Sequence, residues 1–247
     1  MDHKVTAADI AKMIDHSLLK PEMARQEVEA GCELAKKYNC ASACVKPCDV
    51  ELAYAILKDS DVAVTTVVGF PHGHHLTEIK LREAEIAIDQ GCTEIDMVQN
   101  IGRLKSGDYT LVEEDIRQVC ELAHSRNVIV KVIFENAYLT DEEKIKSCQI
   151  AEKAGADFVK TSTGYAPGGA AIPDLKLMRA ACSPAVRIKA AGGVRTIEAA
   201  LAVRAVGTTR FGCTTTAKMM EDAIRMERDG TLVLPDADSV VELPKAY

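Results

Sequence analysis

Short β-branched runs alternate with longer stretches of helical spacing along this chain. The strand-like runs are Ile14–Leu19, Ala41–Val45, Val62–Val68, Glu94–Val98, Val128–Phe134, Asp157–Thr161, Ala185–Ala190 and Thr209–Phe211, the first being the weakest. A short helical pattern, Ala7–Met13, precedes the first run. Helical patterns then cover Met23–Tyr38, Pro47–Lys58, Leu76–Gln90, Val112–Ser125, Asp141–Ala154, Ile172–Ala181, Ile197–Val206 and Ala217–Asp229. Strands separated by helix-length stretches predict a parallel sheet joined by right-handed crossovers. No linker or low-complexity tract interrupts the alternation, so residues 1–247 are expected to form one domain.

Residue parity within the runs selects the architecture. In the fifth run Val128, Val130, Val132 and Phe134 share one face, and Lys131 and Glu135 share the other. In the seventh, Val186 and Ile188 oppose Arg187 and Lys189; in the fourth, Ile95 and Met97 oppose Glu94 and Asp96. A doubly wound open sheet, the alternative, buries both faces under helices and favours apolar residues on each. Charges on one parity of several strands fit a TIM (β/α)8 barrel, in which that parity points into the lumen.

Composition narrows the setting. The net charge of −7 argues against nucleic-acid or anionic-membrane partners, and 47% hydrophobic residues provide for a large core. Nine cysteines, an odd number in a chain of this size, fit a reducing cytoplasm better than a disulfide framework. The N-terminal residues lack an apolar signal core, and no apolar run reaches spanning length.

Two lysines stand near the ends of consecutive strands: Lys160 in Phe-Val-Lys-Thr-Ser-Thr-Gly and Lys189 in Ile-Lys-Ala-Ala-Gly-Gly-Val-Arg. At ~4 Å and an effective dielectric near 20, two ammonium groups repel by about 4 kcal/mol, or roughly three pKa units. Such a neighbour can leave an amine neutral and nucleophilic near pH 7, as Schiff-base chemistry requires. The plainer reading of either lysine is a solvated strand end. Thr161, Ser162 and Thr163 add hydroxyls beside Lys160. Asp96 shares the lumen parity, either as a proton carrier or as a salt-bridge partner of Lys189.

Gly192-Gly193 follows the seventh strand and Gly212-Cys213-Thr214-Thr215 the eighth. Loops at these two positions of a barrel commonly bind phosphate, with glycine amides and threonine hydroxyls as donors. Gly164 to Gly169 reads as a loop beside the site. His72, His74 and His75 lack the spacing of a tetrahedral metal site, as do Cys40, Cys44 and Cys48, so no metal is expected; Schiff-base chemistry, in which the protonated imine is the electron sink, would need no cofactor either. Cys44 falls late in its strand, facing the lumen or serving as a small buried hydrophobe.

Together with Ile-Asp-His-Ser-Leu-Leu-Lys-Pro (Ile14 to Pro21), Val-Val-Gly-Phe-Pro-His-Gly (Val67 to Gly73) and Glu-Ile-Asp-Met-Val (Glu94 to Val98), these motifs resemble the deoxyribose-phosphate aldolase family of class I aldolases over nearly the whole chain. The resemblance implies a TIM barrel that cleaves 2-deoxy-D-ribose 5-phosphate reversibly to D-glyceraldehyde 3-phosphate and acetaldehyde. It implies Lys160 as the Schiff-base lysine, Lys189 as the second lysine and Asp96 as their carboxylate partner. Asp15 matches a position near the substrate hydroxyls; Gly192, Gly193, Gly212, Thr214 and Thr215 match the phosphate site, with Thr161 beside the imine. It further implies small sugar-phosphate and aldehyde partners and a homodimer or homotetramer.

The chain departs from the family's pattern at two places. Threonines replace the usual serine pair after the eighth strand, the added methyls bearing on phosphate affinity, and Asn136 stands where threonine is commoner, which implies altered substrate preference. Tyr247 ends the chain where some relatives carry a mobile tyrosine. The alternatives are a Schiff-base aldolase for another aldehyde or sugar phosphate, a non-covalent phosphosugar isomerase, and a silent binding protein.

Overall fold

The computed structural model describes residues 4–243. Its eight strands are β1 (Ile14–Leu18), β2 (Ser42–Val45), β3 (Ala63–Val68), β4 (Glu94–Val98), β5 (Ile129–Ile133), β6 (Phe158–Lys160), β7 (Arg187–Ala190) and β8 (Arg210–Cys213). They pair in sequence order, all parallel, and β8 closes onto β1. The TIM barrel expected from the alternation of strands and helices is therefore present, and the doubly wound sheet is not.

Ten α-helices accompany the strands among the described residues: α1 (Ala7–Ala11), α2 (Arg25–Lys37), α3 (Val50–Leu57), α4 (Thr77–Asp89), α5 (Ile101–Lys105), α6 (Tyr109–His124), α7 (Asp141–Lys153), α8 (Ile172–Ala181), α9 (Ile197–Ala205) and α10 (Thr216–Arg228). Local chemistry fixes several starts. Thr6 and Asp9 form a capping box on α1, as do Thr140 and Glu143 on α7. The α1 start is also tied to α10, where Glu227 accepts from the Ala7 amide at 3.0 Å. The sequence pattern missed α5, a five-residue helix capped by Asn100, because one apolar residue pair in so short a segment has no period to read.

Strand parity divides the interior into two cores. Val130, Val132 and Phe134 of the β5 run, with Ile95, Met97 and Ile188, join the continuous apolar layer beneath the helices. The opposite parity, Asp96, Lys131, Phe158, Lys160 and Lys189, is buried in the lumen. Register sets its layers: Lys160 lies beside Lys189, Asp96 beside Lys131, and Lys189 beside Arg210.

Candidate active site

The C-terminal mouth of the barrel opens into a cavity of about 710 Å³, a size suited to a small-molecule substrate. Lys160 and Lys189 reach its floor, with Asp15 and Cys44 beside them. The floor is polar yet almost dry: Asp15, Asp96 and Lys131 are wholly buried, and Lys160 is 3% exposed. Burying so many charges is tolerable only when each has a partner.

Every one of them does. Asp96 Oδ2 accepts from Lys160 Nζ at 2.7 Å and from Lys189 Nζ at 2.6 Å. Asp96 Oδ1 accepts from Lys131 Nζ at 2.9 Å, and Lys131 also pairs with Glu94 at 2.6 Å. Lys189 meets Asp15 Oδ2 as an ion pair without hydrogen-bond alignment. Asp15 Oδ1 accepts from Ser42 Oγ at 2.7 Å and from Arg210 Nε at 2.8 Å. Arg210 Nη2 reaches on to Glu94 at 2.7 Å.

These contacts decide the protonation states. Burial pushes the Asp96 carboxyl up, but Lys131, Lys160 and Lys189 together outweigh it and hold Asp96 well below the usual range. Burial disfavours the Lys189 ammonium, yet Asp15 and Asp96 overcome this and hold Lys189 above its ordinary value. Lys160 goes the other way: burial pulls its amine down, Asp96 opposes, and the Lys189 charge adds to the depression. The expected direction at Lys160 is present, but its leading cause is desolvation rather than the repulsion between lysines. Burial also pushes the Cys44 thiol up to about 11, which leaves it a neutral lumen-facing group at pH 7.

The glycine loops form the far wall of the cavity. Gly192 and Gly193 have φ of +80° and +93°, values that favour glycine. Space demands glycine at 192 as well, since a Cβ there would lie 2.8 Å from Gly169 Cα. The loop after β6 is pinned against this wall by Ala170 N donating to Gly192 O at 2.9 Å. Gly212 and Thr214 line the cavity beside the start of α10, whose first amides lack a side-chain cap. Lys20 and Arg195 bring cationic side chains to the cavity lining. They are functional candidates that strand parity could not flag, because both lie in loops.

Three of the residues singled out in the sequence are held by contacts away from the cavity floor. Thr161 does not line the cavity: its hydroxyl accepts from the Ala191 amide at 3.0 Å and joins the ends of β6 and β7. Thr215 lines the cavity, but its hydroxyl donates to Arg195 O at 2.7 Å, which leaves Thr214 as the loop's available hydroxyl donor. Asn136 faces the helical layer, where its Nδ2 donates to Asp174 at 3.0 Å, so it does not tune substrate preference by contact. Tyr247 lies outside the described residues.

Tyr165 bridges the mouth. Its hydroxyl donates to Leu19 O at 2.7 Å, and its ring meets Phe70 edge-on at 5.4 Å. Glu135, left-handed at φ 60°, accepts from the Thr163 amide at 3.2 Å and steadies the same loop. Among the described residues, no three His, Cys, Asp or Glu side chains are disposed to hold a metal ion. His72 and His74 stack on each other at 5.5 Å.

Comparison with known proteins agrees with this geometry. A deoxyribose-phosphate aldolase of Thermoanaerobacter sp. (strain X514) is 52% identical over 215 residues, covering 87% of this chain and 96% of the relative. The enzyme of that name from Thermococcus gammatolerans is 48% identical over 221 residues, 89% of this chain and 98% of its own. The solved deoxyribose phosphate aldolase of Aeropyrum pernix, described as a unique tetrameric structure, superposes with a TM-score of 0.82 at 28% identity, covering 88% of this chain and 92% of that one. The model of the DeoC/LacD family aldolases matches residues 1–215, and the chain belongs to that family.

Proposed function

We propose that this protein is a deoxyribose-phosphate aldolase that works through a Schiff base on Lys160. The observation that carries the reading is a buried lysine at the floor of a substrate-sized cavity, depressed by burial and held at 2.7 Å by Asp96. The name shared by relatives about half identical supplies the substrate.

Neutral Lys160 Nζ attacks C1 of open-chain 2-deoxyribose 5-phosphate, and loss of water from the carbinolamine gives an iminium. The Asp96 carboxylate, through a water, takes the proton of the C3 hydroxyl, and the Lys189 ammonium beside it steadies the charge that develops there. The C2–C3 bond then breaks, its electron pair moves into the iminium, and glyceraldehyde 3-phosphate leaves. Protonation of the enamine at C2 and hydrolysis release acetaldehyde and restore the amine. The iminium is the electron sink, so the chemistry calls for no metal. Asp15 contributes to substrate contact at the floor, and Gly192, Gly193, Gly212, Thr214 and Thr215 surround the phosphate, with Lys20 and Arg195 adding charge.

One barrel domain carries the activity. A cytoplasmic homo-oligomer is the matching context: the Aeropyrum pernix relative is described as tetrameric, and no helix among the described residues is long and apolar enough to cross a membrane.

Borohydride reduction in the presence of acetaldehyde, followed by peptide mapping, tests the reading. Lys160 is expected to carry the reduced adduct. Cleavage of the sugar phosphate with no trapped amine would favour non-covalent chemistry, and an adduct confined to another lysine would reassign the nucleophile.

A further inference from the structure

The lumen charges form a closed ring of alternating sign. Starting at Asp15, it runs through Arg210 (2.8 Å), Glu94 (2.7 Å), Lys131 (2.6 Å), Asp96 (2.9 Å) and Lys189 (2.6 Å), and Lys189 pairs back to Asp15. Three carboxylates alternate with three cations, so the ring is electroneutral by itself. Lys160 stands outside it, attached only through Asp96 Oδ2. Its ammonium is the one charge of the cluster that no carboxylate in the ring is left over to balance.

We propose that Arg210 and Glu94 are positioning residues that set which lysine is nucleophilic: they close the ring, keep Lys189 and Lys131 as cations, and leave Lys160 as the amine that gives up its proton. The inference rests on Lys160 being the Schiff-base residue. Neither Arg210 nor Glu94 lines the cavity, so neither is assigned contact with substrate. They act through Asp15 and through Lys131 with Asp96.

The charged and titratable groups facing Lys160 come from six strands: Asp15 from β1, Cys44 from β2, Glu94 and Asp96 from β4, Lys131 from β5, Lys189 from β7 and Arg210 from β8. From β3, Thr65 contributes only a neutral hydroxyl, donating to Glu94 at 3.0 Å. Arg187 of β7 is solvent-exposed, its guanidinium 4.0 Å above the Phe158 ring. Since the ring is neutral by itself, the cluster of ring plus Lys160 carries no net charge only with Lys160 neutral.

The two new members carry opposite charge, and this gives the proposal its test. Arg210→Gln removes a cation, so the cluster becomes neutral with Lys160 protonated. The proton is then held more tightly, and the pH at which Lys160 becomes reactive rises by about one unit. Glu94→Gln removes an anion, adds to the positive excess, and moves the same midpoint down. The double variant restores the balance and returns the midpoint toward that of the unaltered protein, and Arg210→Lys, which keeps the charge, leaves it nearly in place.

The measurement is the pH dependence of borohydride trapping of acetaldehyde, quantified on the peptide holding Lys160, in full-length protein whose folding is checked by circular dichroism. Opposite shifts in the two single variants, cancelling in the double, are the expected result. Shifts of the same sign, or none, would reduce Arg210 and Glu94 to structural ion pairs. Should Arg210→Gln fail to fold, Glu94→Gln decides alone: a lower midpoint upholds the proposal, and an unchanged or higher one overturns it. Absence of a Lys160 adduct in the unaltered protein would instead remove the Schiff-base reading on which the inference stands.

Discussion

Lys160 and Lys189 donate to the same oxygen, Asp96 Oδ2, at 2.7 and 2.6 Å. Their Cα atoms are register partners on β6 and β7, which sets the two amines side by side at this carboxylate. Asp96 is thus both the group that holds the lysines together and the carboxylate paired with Lys160, whereas Lys189 is also paired with Asp15. Asp96 raises the affinity of Lys160 for its proton, while burial and Lys189 lower it.

Asp96→Asn separates these functions. The amide keeps the shape but leaves Lys131, Lys160 and Lys189 facing one another without the shared anion. Loss of one partner from a buried ion network costs about 3–5 kcal/mol, to be read as a lower urea midpoint. Lys160 should remain trappable by acetaldehyde and borohydride, because nothing then favours its protonated form. Turnover of deoxyribose 5-phosphate should nevertheless fall roughly 10²–10⁴-fold, the contribution typical of a positioned acid–base group. Equal loss of trapping and turnover would mean that Asp96 acts only by keeping the floor folded.

Lys189→Leu removes the like charge beside Lys160 and leaves Asp15 to Arg210 and Ser42. The Lys160 amine then titrates higher. The neutral fraction of an amine grows with pH, so a higher pKa means less nucleophile at pH 7 and a rising limb displaced to higher pH. A trapping profile that coincides with the unaltered one would make Lys189 a bystander to the nucleophile.

Both the barrel and the two lysines were readable from strand parity, because in a barrel each strand presents alternate residues to the lumen whatever its neighbours do. The ring was not readable. Glu94 and Lys131 stood on the right parity, but their pairing depends on the offset between β4 and β5, which hydrogen-bond register fixes and sequence spacing does not. Arg210 sat in a three-residue run too short to show a period. The surroundings of Asn136 and Thr161 were not readable for a related reason. Both residues lie just past the ends of their strands, where the chain leaves the pleat and parity no longer tells inside from outside.

The phosphate loops predict a split between substrates. Thr214→Val removes the loop hydroxyl left available when Thr215 is bound to Arg195 O. Loss of one hydrogen bond to a charged group, about 1.5–3 kcal/mol, corresponds to KM for deoxyribose 5-phosphate rising roughly 10–100-fold. Gly193→Asp should be harsher, since it places an anion against the phosphate. At φ +93° any side chain also adds strain, so Gly193→Ala supplies the control. Unphosphorylated 2-deoxyribose should be turned over almost unchanged by Thr214→Val. Equal damage to both sugars would make these loops supports of the barrel.

His16 predicts a pH dependence of stability separate from the site. Its ring is buried on the outer side of β1, with Nδ1 2.8 Å from Thr216 Oγ1, and burial holds its pKa down at about 4 against a usual 6.5. Below pH 6.5 the unfolded chain takes up a proton that the folded chain refuses until pH 4. Stability therefore falls as pH falls through this window, by about 3 kcal/mol at its lower end. The depressed carboxyls Asp15, Glu94 and Asp96 add their own loss only once the pH nears their unfolded values of 3.8 and 4.5. Urea titrations at pH 6.5 and 5 thus isolate the imidazole. His16→Asn, which can still hydrogen-bond to Thr216 but does not titrate, should remove most of the slope between those two pH values. A slope that survives the substitution would assign the acid sensitivity to another group.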